Sequence, residues 1–271
     1  MENEIASRFE RMGARVKVDV FSAKERDWNA PNGPISIDIQ RDELGEYFDL
    51  RHRSHVEIDV PDVRAIDRHL LLTARERAQR GGRDVTSRFL CGHDERSWFV
   101  AAIPERSHAT SVQHAKDALK PKEVWEAMRA HGVKMSHRDR RRTDAFIRQG
   151  EWFFVPRPRL QVSKALTLHD EPIRRGSGKA HMCQFVYRKG GERVYVSSDF
   201  PNGLSSREFG ALSREDRDQQ VWRVMVRDAF VYAKGNIRHP DHKTIWLNVW
   251  HQVVMNTETQ SRAMRHVAFL D

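Results

Sequence analysis

Both cysteines of the chain have a histidine two positions away, and the two pairs are mirrored. Cys91 precedes His93, and His181 precedes Cys183. Both cysteines fall in predicted β-strands, where residues i and i+2 point to the same face, although His93 sits in the predicted turn that follows its strand. Together they would supply two thiolates and two imidazoles, a ligand set that suits tetrahedral zinc. The spacing matches no familiar zinc motif, and buried cysteines are often plain apolar residues, so both interpretations stay open.

A second polar cluster surrounds a predicted turn and contains His239, Asp241, His242 and His251. Histidines and an aspartate at the start of a strand could bind a metal ion that activates water for phosphodiester cleavage. These four residues are therefore our candidates for catalysis. A simple turn at Pro240 and Asp241 explains the same residues equally well. The GxSxG and GxGxxG motifs are absent, so hydrolases with a serine nucleophile and dinucleotide-binding enzymes have no motif support.

Basic residues are concentrated in a predicted helix over residues 137–148. Its arginines recur at helical spacing and would share one face, which could neutralise several phosphates of a nucleic acid. Trp152 follows directly, begins an aromatic run and could stack on unpaired bases. The alternative is a solvated helix face beside an aromatic core strand. The arginines are Arg138, Arg141, Arg142 and Arg148.

A second basic segment contains Arg174, Arg175 and Lys179 around two glycines. Glycines between cations let backbone N–H groups approach an anion closely. The spacing of a P-loop fails, because Ile173 stands five positions before Gly178. We interpret the segment either as a phosphate contact or as a flexible surface loop.

The charge is unevenly distributed along the chain. Residues 1–70 hold 11 Lys and Arg against 15 Asp and Glu, whereas the remainder holds 36 against 23, a net of +13. This asymmetry favours a nucleic acid or another polyanion as partner. Only 11 of the 47 basic residues are Lys, and such an arginine preference can also reflect the base composition of a genome. Charge alone therefore leaves the partner open.

The sequence also gives an expectation about where the protein is located. The first residues are charged and hold no apolar signal core, and no apolar stretch approaches about 18 residues. Two cysteines about 90 residues apart are not a disulfide framework. We expect a cytoplasmic protein without a membrane partner.

The hydrophobic patterns predict an α+β fold, mainly antiparallel β-sheet with a helical segment around residues 110–149. An opening helix is predicted over residues 5–12. The apolar run at 70–72 could begin a strand or a short helix. We expect one domain over residues 1–271, or two packed lobes at 1–165 and 166–271. Predicted strands cover 16–21, 35–39, 47–50, 56–60, 87–91, 97–103, 152–155, 182–188, 193–197, 222–226, 230–233, 244–249 and 267–270.

Three functions are compatible with these features. The leading hypothesis is a non-enzymatic nucleic-acid-binding protein, with RNA or single strands favoured because aromatic residues adjoin the arginines. The first alternative is a metal-dependent nuclease or phosphodiesterase that uses the histidine clusters and a divalent metal ion. The second alternative is a subunit of a larger assembly that binds a protein partner. No complete catalytic motif decides whether the chain is an enzyme.

Overall fold

The structure is a computed structural model and describes residues 2–22, 31, 33–77, 84–175, 179–262 and 264. The helices in this part of the chain are α1 Glu2–Arg11, α2 Val112–Ala118, α3 Lys122–Ala130, α4 Ser206–Ala211 and α5 Arg214–Asp218. The strands are β1 Val16–Phe21, β2 Ile35–Asp42, β3 Gly45–Arg53, β4 Val56–Arg64, β5 His69–Glu76, β6 Val85–Asp94, β7 Ser97–Ala102, β8 Ile147–Gln149, β9 Trp152–Pro156, β10 Leu168–Ile173, β11 His181–Lys189, β12 Glu192–Val196, β13 Leu204–Ser205, β14 Arg223–Arg227, β15 Phe230–Arg238 and β16 Ile245–Met255. The predicted α+β class with mainly antiparallel sheets is confirmed. The predicted strand at 267–270 lies outside the described residues.

Two sheets and the first helix form the N-terminal core. A three-stranded sheet has the order β1-β3-β2, and a four-stranded antiparallel sheet has the order β4-β5-β6-β7. Helix α1 lies over them and buries Phe9, whose ring packs against Phe48 at 5.0 Å between centroids. The alternation along β2 buries Ile35 and Ile37, as a strand with one apolar face requires.

Strand β5 is buried on both faces, which explains its uninterrupted apolar run. Leu70 and Leu72 belong to the N-terminal core, whereas Leu71 points to the opposite face and packs with Val112 of α2. A strand covered on both sides has no polar face, so its sequence does not alternate. This burial resolves the ambiguity at residues 70–72 in favour of a strand.

The prediction of a helix over residues 137–148 is wrong. A single 3₁₀ turn at Met135–His137 is followed by a loop and then by β8. The hydroxyl of Thr143 accepts hydrogen bonds from the backbone N–H groups of Ala145 and Phe146, and Arg142 forms a β-bridge with Ile147. These contacts turn the backbone into a hairpin-like segment, so the arginines do not share one helix face.

A six-stranded sheet dominates the C-terminal part, with the order β10-β11-β15-β16-β9-β8. Its core buries Phe154, Cys183 and Ile237. Because β8 and β9 precede residue 165 and the other four strands follow it, the sheet crosses the predicted boundary between the lobes. The division into lobes at residue 165 therefore does not follow the sheets.

The remaining strands form a small peripheral sheet of order β13-β12-β14, beside the short helices α4 and α5. Ser205 begins α4 with a capping box, because its side chain accepts from the N–H of Glu208 and the Glu208 carboxylate accepts from the N–H of Ser205. Within the described part of the chain, no helix is both long enough and apolar enough to cross a membrane.

Candidate functional site

Three histidines meet at one end of the six-stranded sheet. His181 is the first residue of β11, His239 follows the last residue of β15, and His242 lies in the loop that leads into β16. Because Met182 pairs with Arg238 across β11 and β15, the preceding and following residues are brought side by side. The sheet register therefore assembles a cluster from histidines that are distant in the chain.

The three imidazole rings are close enough to share one ion. Their centroids lie 4.2 Å apart for His181 and His239, 4.7 Å for His239 and His242, and 5.7 Å for His181 and His242. One ring nitrogen from each lies within 4.8 Å of the others. Among the residues that the structure describes, this is the one group of three or more His, Cys, Asp or Glu that could hold a metal ion.

His181 is the most deeply placed of the three, with 1% of its surface exposed. Neither of its ring nitrogens has a hydrogen-bond partner among the described residues. Burial lowers its pKa to about 3, and the neighbouring His239 and His242 act in the same direction. The ring is therefore neutral at pH 7, and it keeps a lone pair free for a metal ion.

The other two rings are also held in the neutral form. Burial is the largest cause that lowers the pKa of both His239 and His242. The Nδ1 atom of His239 accepts a hydrogen bond of 3.1 Å from the backbone N–H of Asp241. This contact places the proton of the metal-free ring on Nε2. The ring also has a hydrogen bond with the backbone of Lys179, so a metal ion at His239 would displace at least one of these two contacts, and its binding is coupled to the backbone at Lys179 and Asp241.

Gly150 provides the space that the cluster faces. It lies in the tight turn between β8 and β9 with a φ of +58°. A Cβ atom at this position would stand 2.8 Å from Nε2 of His242 and 3.4 Å from Nε2 of His181. Both Nε2 atoms therefore point to the same place, and glycine keeps that place open.

A carboxylate from the N-terminal part reaches the cluster. Glu95 sits in the turn between β6 and β7, and one of its oxygens lies 3.7 Å from Nδ1 of His242. The same oxygen accepts a hydrogen bond of 2.6 Å from the backbone N–H of Lys243. Glu95 is not among the site residues predicted from the sequence. The signal that could have indicated it is the acidic pair Asp94 and Glu95, which directly follows the candidate ligand His93.

The histidines line a cavity of about 330 Å³ between the N-terminal sheet, α2 and the end of the six-stranded sheet. Seven Lys and Arg residues line it against five Asp and Glu residues, and Asp117 and Glu95 pair with lining cations, so every lining cation except Arg140 has a carboxylate partner among the described residues. Arg140 is thus the lining cation that an anionic ligand would meet without a carboxylate partner. The cations are Lys116, Lys120, Arg138, Arg140, Arg141, Arg148 and Arg175, and the acids are Asp67, Asp94, Asp139, Glu151 and Glu258.

The predicted cysteine–histidine zinc site is not assembled. Cys91 is buried in the N-terminal core and Cys183 in the core of the six-stranded sheet, so the two pairs belong to different sheets. Burial raises the pKa of both thiols, that of Cys183 to about 12, and a protonated thiol is a poor metal ligand. The His93 ring packs edge-on against Trp98. Of the four predicted ligands, His181 alone belongs to the cluster of three histidines.

Of the four predicted catalytic residues, two belong to the histidine cluster and two do not. His239 and His242 join the cluster. Asp241 instead forms an ion pair of 2.7 Å with Lys179. His251 is buried within β16, where its Nδ1 lies 2.8 Å from the carbonyl oxygen of Val249.

The predicted arginine stripe consists mostly of paired residues. Arg138 bonds Asp117 at 3.0 Å, Arg141 pairs with both Asp94 and Glu95, and Arg148 lies 3.3 Å from Asp94. Carboxylates therefore neutralise three of the four arginines, and three of the four also line the cavity.

The other predicted nucleic-acid contacts are dispersed. Arg142 and Arg174 are exposed, whereas Arg175 pairs with the buried Glu258. Trp152 is half-buried, packs against the C-terminal core and has a buried indole N–H. Its ring is thus part of the packing and offers no open face of the kind expected for base stacking.

Comparison of the chain with known protein families, with curated proteins and with solved structures gave no match. The proposed function therefore rests on the geometry of the site.

Proposed function

We propose that the chain is a metal-dependent phosphodiesterase with zinc bound by His181, His239 and His242. The observation that carries this proposal is the cluster of three neutral imidazoles, with His181 buried, at the wall of a cavity that Arg140 also lines. The proposal keeps the metal-dependent alternative of the sequence analysis, with His181 in place of Asp241 and His251.

The ligand set favours zinc in a catalytic role. Three protein ligands leave the fourth tetrahedral position to water or substrate, as in many zinc hydrolases. Zinc lowers the pKa of bound water to about 7, which supplies a nucleophile at neutral pH. Neutral imidazoles are the form that binds the ion, and the low pKa of His181 keeps that ring available over a wide pH range.

The cavity supports a phosphate ester as the substrate class. Such an ester carries a negative charge that a cation without a carboxylate partner would attract, and the same cation would stabilise the charge that develops during cleavage. Arg140 lines the cavity, is exposed and has no side-chain ion pair among the described residues, so it is free to contact a phosphate. The other lining cations have carboxylate partners, and their role is to shape the walls.

The size of the cavity limits the substrate further. A volume of about 330 Å³ is at the lower end of the range for small-molecule sites. It would admit a small phosphate ester or a single nucleotide unit at a strand end, and a nucleic-acid duplex would not enter. We therefore propose nucleic acid as a substrate that is cleaved, in place of a partner that is only bound.

The test is cleavage by protein stripped with a chelator and reloaded with zinc, manganese or magnesium. The substrates are bis(p-nitrophenyl) phosphate, labelled single-stranded RNA and labelled single-stranded DNA. Cleavage should require a metal ion and fall by about 100-fold or more in His181→Ala and His242→Ala. His131→Ala is the matched control, because His131 is exposed at the end of α3.

Two outcomes would reject the proposal. One is no cleavage of any substrate after metal reloading. The other is cleavage that persists in the histidine variants. Tight binding of single-stranded RNA without cleavage, unchanged in His181→Ala, would favour the non-enzymatic nucleic-acid-binding function instead.

A further inference from the structure

Glu95 has an unusual place in the fold. It occupies the turn between β6 and β7 with a φ of +52°, in the left-handed region that residues other than glycine seldom adopt. Its side chain is only 11% exposed. A strained backbone and a buried carboxylate are each unfavourable, and such features persist where surrounding contacts hold them in place.

One carboxylate oxygen of Glu95 contacts the segment that carries His242, and the other contacts Arg141. One oxygen accepts from the N–H of Lys243, at 2.6 Å, and lies 3.7 Å from Nδ1 of His242. The other oxygen pairs with Arg141. The carboxylate therefore attaches the β6–β7 turn of the N-terminal sheet to the loop that carries His242.

The orientation of His242 indicates what this contact does. Its Nε2 faces Gly150, in the same place as Nε2 of His181, while its Nδ1 faces Glu95. An imidazole binds a metal ion through one nitrogen when the other carries the proton, and a carboxylate beside that second nitrogen selects this tautomer. The distance of 3.7 Å exceeds that of a hydrogen bond, and a small rotation of the ring would close it.

We propose that Glu95 is a positioning residue of the metal centre, which accepts a hydrogen bond from Nδ1–H of His242 and directs Nε2 to the ion. This inference rests on the zinc site of the proposed function. It adds that the site is complete only when the β6–β7 turn is docked on the loop before β16. Carboxylates in this outer position typically contribute about 10- to 100-fold to metal affinity.

The experiment measures zinc affinity by competition with a chromophoric chelator, using the full-length protein. Glu95→Gln keeps an oxygen for the N–H of Lys243 and removes the charge, so we expect zinc affinity to fall about 10- to 100-fold. Glu43→Gln is the matched control. It makes the same substitution at an exposed residue of the β2–β3 turn, so it should leave affinity within about threefold.

A second variant and a spectroscopic measurement guard against a merely structural effect. Glu95→Asn suits the left-handed backbone better and also lacks the charge, so it should lose affinity even if Glu95→Gln folds poorly. In ¹⁵N spectra of the zinc-loaded wild type, His242 should carry its proton on Nδ1, and that proton signal should shift or exchange faster in both variants.

The two proposals fail in different ways. If the wild type binds no zinc, the metal centre and the role of Glu95 are both rejected. If the wild type binds zinc and Glu95→Gln binds it equally well, or Glu43→Gln weakens it as much, only the role of Glu95 is rejected.

Discussion

His181 gives the clearest support for the proposed metal site. Its two ring nitrogens are buried without partners in the described part of the chain, although a buried polar atom left unpaired costs about 1–3 kcal/mol. A metal ion would satisfy one nitrogen and so offset part of this cost. Folding therefore tolerates an unfavourable arrangement that metal binding would relieve.

The pKa of His181 predicts how stability depends on pH without metal. The pKa is about 3 in the folded protein and about 6.5 in an unfolded chain. Below pH 6.5 the unfolded chain takes up a proton that the folded protein refuses, so acidification lowers the free energy of unfolding. The loss is at most about 1.4 kcal/mol per pH unit for this residue and continues to about pH 3.

Urea unfolding at pH 7.5, 5.5 and 4.5, with chelator present, measures this effect. The wild type should lose stability more steeply than His181→Gln over this range. His69, with its pKa lowered to about 4 mainly by burial, contributes in the same direction in both proteins. Equal slopes in the two proteins would show that the His181 ring is not held neutral.

Gly150→Ala tests the space between the histidines. The added methyl group would stand 2.8 Å from Nε2 of His242, so we expect zinc affinity to fall at least tenfold. Gly132→Ala is the matched control, because Gly132 has a φ of +59° and no described atom lies within 4 Å of the place that its added methyl group would take. Both variants should lose about 1 kcal/mol through backbone strain. Similar zinc affinities in the two would contradict the proposed position of the ion.

Arg141 and Arg142 are neighbours in the chain, but their contacts predict different effects of substitution on stability. Arg141 holds the β6–β7 turn through Asp94 and Glu95, so Arg141→Gln should lower stability by about 1–3 kcal/mol. Arg142 is exposed, and its side chain makes one long contact with the carbonyl oxygen of Trp246. Arg142→Gln should therefore change stability by less than about 0.5 kcal/mol.

Chemical denaturation measures the stability of the two variants, and fluorescence anisotropy with single-stranded RNA measures their RNA affinity. Equal loss of RNA affinity in both variants, without loss of stability, would restore the arginine stripe of the sequence analysis as a nucleic-acid contact.

Local patterns predicted many of the strands and the first helix. The alternation of Ile35 and Ile37 and the punctuation by proline and glycine are local signals, and the observed strands at those positions agree. The helix predicted over 137–148 failed because the side chain of Thr143 bonds nearby backbone N–H groups and competes with helical hydrogen bonding.

The site was less accessible from sequence than the fold. His239 and His242 were found because they are neighbours in the chain. Their association with His181 depends on the pairing of β11 with β15, and the approach of Glu95 depends on the docking of another sheet. Pairings between distant strands leave no local pattern, so the sequence grouped His181 with Cys183 instead.

Across the whole molecule, basic residues and the histidine cluster converge on one cavity. The N-terminal sheet contributes the carboxylate turn and the six-stranded sheet contributes the histidines. The residues after position 70, with their net charge of +13, supply every one of the seven cations that line it. This arrangement supports the proposal that a metal ion and an anionic substrate meet between the two sheets.

The most direct test is the zinc content of protein that has been stripped of metal, dialysed against zinc and analysed by inductively coupled plasma mass spectrometry. We expect one zinc ion per wild-type chain, less than about 0.1 in the triple variant His181→Ala, His239→Ala and His242→Ala, and one in the double variant Cys91→Ser and Cys183→Ser. A wild type without zinc, or a loss of zinc in the cysteine variant alone, would contradict the three-histidine centre.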